Sequence, residues 1–230
     1  MRVAHLTCSS PPPKRFELRA AIQPTPARAG KVAPAACPID CIVTIRSSLL
    51  CHPATPCTAL TTLHTEVCWQ ADGALRLCFT LTGALDALLI PAPLAQAGFR
   101  DDLWQHTCCE AFISAGETPA YREFNFAPSG EWAAYAFLAR RERDLAWHPM
   151  QAPVITTQHT PSALILTASL PAALLPADTR DLHIGLTAVI ESTDATLSYW
   201  ALAHPDARPD FHRREAFCLR VSSVNRTAQP

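Results

Sequence analysis

The chain has 230 residues, 49% of them hydrophobic and 17% charged, with a formal net charge of −1. That leaves room for one sizeable domain, or a domain with a tail, and so even a charge balance points to neither nucleic acid nor an anionic membrane as a partner. No apolar run approaches the ~20 residues that span a bilayer. Residues 1–6 lead at once into polar residues and three prolines rather than a secretory pattern, so the expectation is a soluble, cytoplasmic protein.

Residues 1–45 differ from everything after them. They hold Pro11, Pro12, Pro13, Pro24, Pro26, Pro34 and Pro38, with six Lys or Arg against two acids and no periodic apolar pattern. Such a segment buries too little surface to offset its ordering entropy, which predicts a disordered tail. Val43 opens VTIRSSLLCHPATPC, a start suited to a shorter protein, so the tail need not belong to the native product. The intact mass of protein from its host tests that.

Strand patterns begin beyond His52. Leu63, Val67 and Trp69 alternate with polar residues, with Thr65 falling in the apolar register, and Leu75, Leu77, Phe79 and Leu81 alternate in the same way. Ala71-Asp72-Gly73 between them predicts a hairpin. Residues 85–90 suit either a strand or a short helical turn. Three central strands follow, around residues 107–114, 121–126 and 132–137. The charged run at 139–147 reads as a solvated connection. Further strands are predicted at 154–159, 164–170, 182–190, 196–203 and 216–221. About ten short strands with few helical stretches predict an all-β, two-sheet antiparallel sandwich of jelly-roll type over residues 49–222, with a short tail at 223–230.

Ten cysteines raise the question of disulfides or metal, yet there is no C-x-x-C pair. Cys37 and Cys41 have no matching pair downstream, Cys108 and Cys109 are neighbours, and Cys68 and Cys78 sit within predicted strands. Reduced structural thiols are the expectation. The nine histidines show no H-E-x-x-H spacing, so no metal site is expected. Neither a G-x-S-x-G elbow nor a phosphate-binding glycine loop occurs.

The candidate site residues come from three places. In the strand at 121–126, Phe124 and Phe126 point one way and Tyr121, Glu123 and Asn125 the other, which gives a packed face and a polar face. Pairing across Pro128-Ser129-Gly130 with residue numbers summing to about 257 sets Asn125 against Trp132, Glu123 against Ala134 and Tyr121 against Ala136. The result is a shallow trough with an aromatic end, suited to a polyhydroxylated ligand. The alternative is a polar face that simply meets solvent. Glu110 stands mid-strand between Cys108 and Phe112, open on a sheet face or paired with an arginine. Near the C-terminus Tyr199, Trp200 and His204 precede RPDFHRREAF, which brings His212, Arg213 and Arg214 into one loop; a basic surface loop over a buried Trp200 is the plainer reading.

These blocks carry a resemblance. LWQHTCCEAFI (103–113), YREFNFAPSGEWAAYAF (121–137), IGLTAVIE (184–191) and LSYWALAHPDARPDFHRREAF (197–217) resemble the stand-alone bacterial DOMON-like proteins, relatives of the family 9 carbohydrate-binding modules and of the haem-binding DOMON domains. The resemblance covers about residues 49–222. It implies a β-sandwich with a ligand site on a concave sheet face that binds sugar or haem without catalysis. Sugar-binding relatives use aromatic clamps, for which Trp104, Trp132 and Trp200 are the candidates. Haem-binding relatives use an axial methionine, which here could only be Met150 beside His148, since the other methionine is Met1.

The expectation is therefore a non-catalytic module for a small sugar-like ligand, with no cofactor. Trp132 or Trp200 stacks on the ligand; Glu123, Asn125 and Arg213 or Arg214 make polar contacts; His106 and His204 lie nearby. Haem binding with electron transfer is one alternative. An enzyme built on His106, Glu110 and His212 is the other.

Overall fold

In the computed structural model, which describes residues 41–222, thirteen strands form two antiparallel sheets. The smaller sheet orders β1 (Cys41–Ser48), β3 (Leu60–Gln70), β4 (Leu75–Gly83), β10 (Ala163–Leu170) and β9 (Val154–Thr160) as β1-β3-β4-β10-β9. The larger runs β2 (Leu50–Cys51), β12 (Leu197–Ala201), β11 (Leu182–Glu191), β5 (Cys108–Ala115), β6 (Tyr121–Phe126), β7 (Trp132–Ala139) and β8 (Glu142–Arg143). The short β13 (Leu219–Val221) also pairs with β11. Together they make an all-β two-sheet sandwich. Residues 85–90 resolve into a single 3-10 turn, Leu85–Ala87, and a bridge from Leu88 to Ser192. Among the described residues no helix is long and apolar enough to cross a membrane.

Two-residue alternation builds the main core. Leu75, Leu77, Phe79 and Leu81 of β4 are all fully buried between the sheets, against Phe124 and Phe126 of β6 and Leu186 and Ile190 of β11. Thr65 shares that apolar register; its hydroxyl donates to the Ser47 carbonyl at 3.4 Å, which satisfies it inside the sheet.

The tail expectation lies mostly outside the described residues, as does the one for 223–230. Residues 41–45, however, are strand rather than tail, and Val43 is the third residue of β1. The expectation of reduced thiols needs correction at two positions, because Cys41 and Cys68 form a disulfide that ties β1 to β3. Cys51, Cys57, Cys78, Cys108, Cys109 and Cys218 are free thiols.

The turn between β6 and β7 determines what the outer face displays. Ala127 N–H donates to the Glu131 carbonyl at 3.0 Å and Gly130 N–H to the Ala127 carbonyl at 2.9 Å, with Gly130 at φ +89°. That is a three-residue loop closed by a left-handed glycine. The turn from β3 to β4 has the same build at Gly73, φ +85°. Phe126 consequently faces Trp132, Asn125 faces Ala133, Glu123 faces Tyr135 and Tyr121 faces Phe137. This differs by one residue from the pairing expected across Pro128-Ser129-Gly130, and a one-residue shift moves every side chain of the partner strand to the opposite face. Trp132 thus sits on the core side beside Phe126, edge-on to Phe99 at 5.5 Å. Tyr135 and Phe137 take its place on the outer face.

β5 and β11 are buried on both faces, and accordingly read as nearly continuous apolar runs. A second cluster, with Phe112, Tyr121, Phe137, Phe211 and Phe217 among its members, covers the outer side. Gly185 makes room for it. A Cβ there would come within 2.8 Å of the Phe217 ring.

Candidate functional site

On the outer face of the larger sheet, cross-strand partners line up in rows. One row runs Thr187, Glu110, Asn125, Ala133; the next runs Gly185, Phe112, Glu123, Tyr135. Strand alternation thereby places two carboxylic acids, Glu110 and Glu123, diagonally on adjacent strands, and both are buried, at 2% and 6% exposure.

Their partners are few. Glu110 Oε2 accepts from the Thr187 hydroxyl at 3.1 Å, while Glu110 Oε1 is buried with no hydrogen-bond partner. Burial, and then the neighbouring Glu123 charge, push the Glu110 carboxyl well above the usual carboxylate range. Glu123 Oε1 accepts from Asn125 Nδ2 at 2.8 Å. Burial raises Glu123 to about 6, against the opposing pull of the Asn125 bond and the Arg141 and Arg143 charges.

His212 leans in from the loop before β13. Its Nε2 lies 3.8 Å from Glu123 Oε2, and its Nδ1 lies 2.7 Å from the Tyr121 hydroxyl. That hydroxyl already accepts from the Arg141 backbone N–H at 3.1 Å. Its own hydrogen is used if it donates to His212 Nδ1, an arrangement that leaves the His212 proton on Nε2, turned toward Glu123. Burial, followed by the Arg141 charge, lowers His212 to about 4, so the ring is neutral at pH 7.

These groups floor and wall an open cavity of about 920 Å³, toward the upper end of the ~300–1,000 Å³ of small-ligand sites. Phe112, Tyr135, Phe137, Tyr199 and Phe211 supply apolar wall, and Trp104 stands at the rim, 47% exposed. Tyr135 is held in place: its hydroxyl donates to Asp101 at 2.7 Å and the Arg143 guanidinium lies 4.1 Å over its ring. Arg140 and Arg141 both bind Asp210; burial alone would raise that carboxyl, but the two arginines outweigh it and hold it at about 2. Of the three non-glycine residues with left-handed backbone among those described, Asp102 and Arg141 line this cavity. Such a conformation costs about 1–2 kcal/mol at each residue, and strain of this kind collects at working sites.

Of the twelve candidate residues, Trp104, Glu110, Glu123 and His212 line the cavity. Tyr121 and Asn125 lie behind it, buried, and orient His212 and Glu123 rather than reaching the opening. The others fall elsewhere. Trp132 faces the core for the register reason above. Trp200 pairs with Ala188 on the core side of β12 and donates its Nε1–H to Ser198 at 3.1 Å, whereas its neighbour Tyr199 faces outward. Arg213 pairs with Asp206 at 3.2 Å. Arg214 binds Ser114 and the Gly116 carbonyl, bracing the β5 end. His204 donates to the Leu50 carbonyl at 2.8 Å, clipping its loop to β2. His106 turns to Glu191 at 2.8 Å and does not line the cavity, so His106, Glu110 and His212 do not converge. Met150 is 84% exposed, and neither it nor His148 lines the cavity. Among the described residues no group of three or more His, Cys, Asp or Glu could hold a metal ion.

The sequence reading missed Tyr135, Phe137, Phe211, Arg141, Arg143 and Arg208. The first two follow from the glycine position in the Pro128-Ser129-Gly130 turn, which selects the three-residue loop. The arginines carried no such signal, since their run read as a solvated connection.

No protein-family model matches the chain, and no curated protein matches it. Among solved structures it is similar to a Bacteroides uniformis protein provisionally named as carbohydrate-binding, at 14% identity and TM-score 0.57, over 75% of this chain and 83% of that one. It is also similar to a family 9 carbohydrate-binding module from Caldicellulosiruptor kristjanssonii in complex with glucose, at 10% identity and TM-score 0.49, over 76% and 82% of the two chains. A structure of such a module with cellotriose follows at 10% identity and TM-score 0.42, over 67% and 72%. The likeness to the Bacteroides uniformis protein is one of fold.

Proposed function

We propose that this chain is a non-catalytic carbohydrate-binding module of the DOMON-like type, and that its ligand lies in the cavity on the outer face of the larger sheet. The observation that carries the reading is the cavity's make-up. Aromatic walls meet a floor of oriented hydrogen-bonding groups, and an open indole stands at the mouth. A pyranose presents an apolar C–H face to rings and hydroxyls to carboxyl and imidazole groups, so this surface matches it on both counts. The fold likeness to a protein provisionally named as carbohydrate-binding supports the same reading.

Two features favour binding. Tyr135, Asn125 and Tyr121 are each fixed by hydrogen bonds within the protein, which lowers the cost of ordering on association. The rims carry charged side chains already paired with one another, such as Arg141 with Asp210. Calorimetry against gluco-, manno- and xylo-oligosaccharides tests the reading. At least one series should bind the purified protein, and Trp104→Ala should weaken that binding by about tenfold, the equivalent of ~1.4 kcal/mol for a lost stacking partner. If the folded protein binds no oligosaccharide, neutral or charged, the proposal fails.

A further inference from the structure

One acid on the floor of the cavity is short of a partner, and a second acid lies beside it. Glu110 is 2% exposed, lines the cavity and keeps Oε1 without a hydrogen-bond partner. A second buried acid, Glu123, lies diagonally across on β6. Burying one carboxyl without a full set of partners is costly, and placing two together is costlier still. The protein's own cations relieve only part of this: the Arg141 and Arg143 charges favour ionised Glu123, but neither guanidinium is hydrogen-bonded to an acid of this pair. Arg141 is bound to Asp210, Arg143 lies over the Tyr135 ring, and His212 approaches only Glu123. Around the acids stand Phe112, Tyr135 and Phe137. Aromatic faces and a carboxyl floor share one preference, a small positively charged group with hydrogen atoms to donate.

We infer that the cavity selects a sugar carrying a protonated amine, an amino sugar of glucosamine type, and seats its ammonium group between Glu110 and Glu123. This rests on the carbohydrate reading above and narrows it to one ligand class. Once Glu110 is ionised, the ammonium supplies a donor for Oε1, which has no partner within the protein, and a positive charge beside both carboxyls. Its binding carries a chemical signature. Burial favours the protonated form of Glu110 and the arriving cation favours its carboxylate, so the complex is expected to form with release of a proton from Glu110 to the buffer. The groups facing this pair are Cys108 and Cys109 from β5, Tyr121 from β6, Tyr135 from β7, Thr187 from β11, His212 from the loop before β13, and Arg141 and Arg143 from beyond β7; burial raises the two thiols and the two phenols, Thr187 does not titrate and His212 is neutral at pH 7. Proton release near pH 7 therefore reports on the two glutamates.

The test compares three trisaccharides of one linkage at about pH 6.5: β-1,4-glucosamine, its N-acetylated form and cellotriose. Titration calorimetry in two buffers of different ionisation enthalpy counts protons. The expected result is that the glucosamine trimer binds at least about tenfold tighter than either neutral trimer and releases about one proton, while the neutral trimers release none. Glu110→Gln, which keeps the shape and removes the charge, should shrink the tenfold preference to about twofold or less. If that variant does not fold, the proton count on the wild-type protein decides alone. Equal affinity for all three trimers, or a preference without proton release, overturns the inference and leaves the carbohydrate reading standing. A folded protein that binds none of the three, nor any of the neutral series above, sinks both.

Discussion

Tyr121 and His212 are 91 residues apart in the chain, yet the hydroxyl of one meets Nδ1 of the other at 2.7 Å. This bond joins β6 to the loop that forms one cavity wall, and it sets the imidazole so that Nε2 faces Glu123. Tyr121→Phe removes it and also strips the Arg141 backbone N–H of its acceptor. The expected cost is about 1–2 kcal/mol, read as a lower denaturant midpoint at unchanged slope. Ligand affinity should fall as well, because the loop loses its anchor; a variant as stable as wild type would show that the bond does not hold the loop.

Acid should act through His212. Its folded pKa of about 4 lies below the ordinary 6.5, so the folded state resists protonation. The stability tied to this histidine is complete above about pH 6.5 and is lost as the pH falls toward 4. Glu123 runs the other way. Its folded pKa of about 6 lies above the ordinary 4.5, so the fold is penalised as the pH rises from 4.5 through 6. Glu123→Gln should therefore gain stability over wild type at pH 7, on the order of 1–2 kcal/mol, and lose that advantage by pH 4. Guanidinium melts of both proteins across this range measure the difference; a gap that does not change with pH contradicts the assignment.

The register of the β6–β7 hairpin makes a paired prediction. Trp132→Ala should cost about 1–3 kcal/mol through lost contact with Phe99 and the core, yet leave ligand affinity within about twofold. Tyr135→Ala should do the reverse in emphasis, weakening binding about tenfold or more. Affinity that collapses in Trp132→Ala alone would mean the ligand sits elsewhere.

Gly185 lets Phe217 lie against the sheet. A methyl group placed there would stand 2.8 Å from the ring, closer than packed carbons tolerate. Gly185→Ala should destabilise by about 1–3 kcal/mol through overpacking. The effect should include faster amide exchange in the 202–218 loop, whose Phe211 and Phe217 share that outer cluster.

The Cys41–Cys68 bond spans 27 residues and closes a loop that the β1–β3 pairing already brings together. Reduction, or Cys68→Ala, should cost about 2–4 kcal/mol, lowered somewhat by that pairing. Melting with and without reductant checks the magnitude. Intact mass under non-reducing conditions checks whether the two thiols have lost their hydrogens.

Much of the sandwich was legible because alternation is a local signal. Leu75, Leu77, Phe79 and Leu81 announce their strand by their spacing alone, and even Thr65 kept to its register. The ends of elements were harder. Residues 41–45 read as tail because no partner is visible in their own sequence, and the strand they form exists through pairing with β3.

The candidate site was only partly legible. The polar row of Tyr121, Glu123 and Asn125 follows from the period of a strand, and so does the separation of that row from Phe124 and Phe126. Which side chains of β7 join it depended on one residue of turn length. The arrival of His212, Arg141 and Phe211 depended on loops that pack across the sheet. Sequence by itself determined most of the longer strands and which way their side chains alternate, since those are properties of neighbours a few residues apart. Tertiary structure alone decided that two acids would be buried side by side beneath aromatic rings. Only the folded sheet brings β5, β6, β7 and β11 together, and burial acts on whatever that meeting excludes from water.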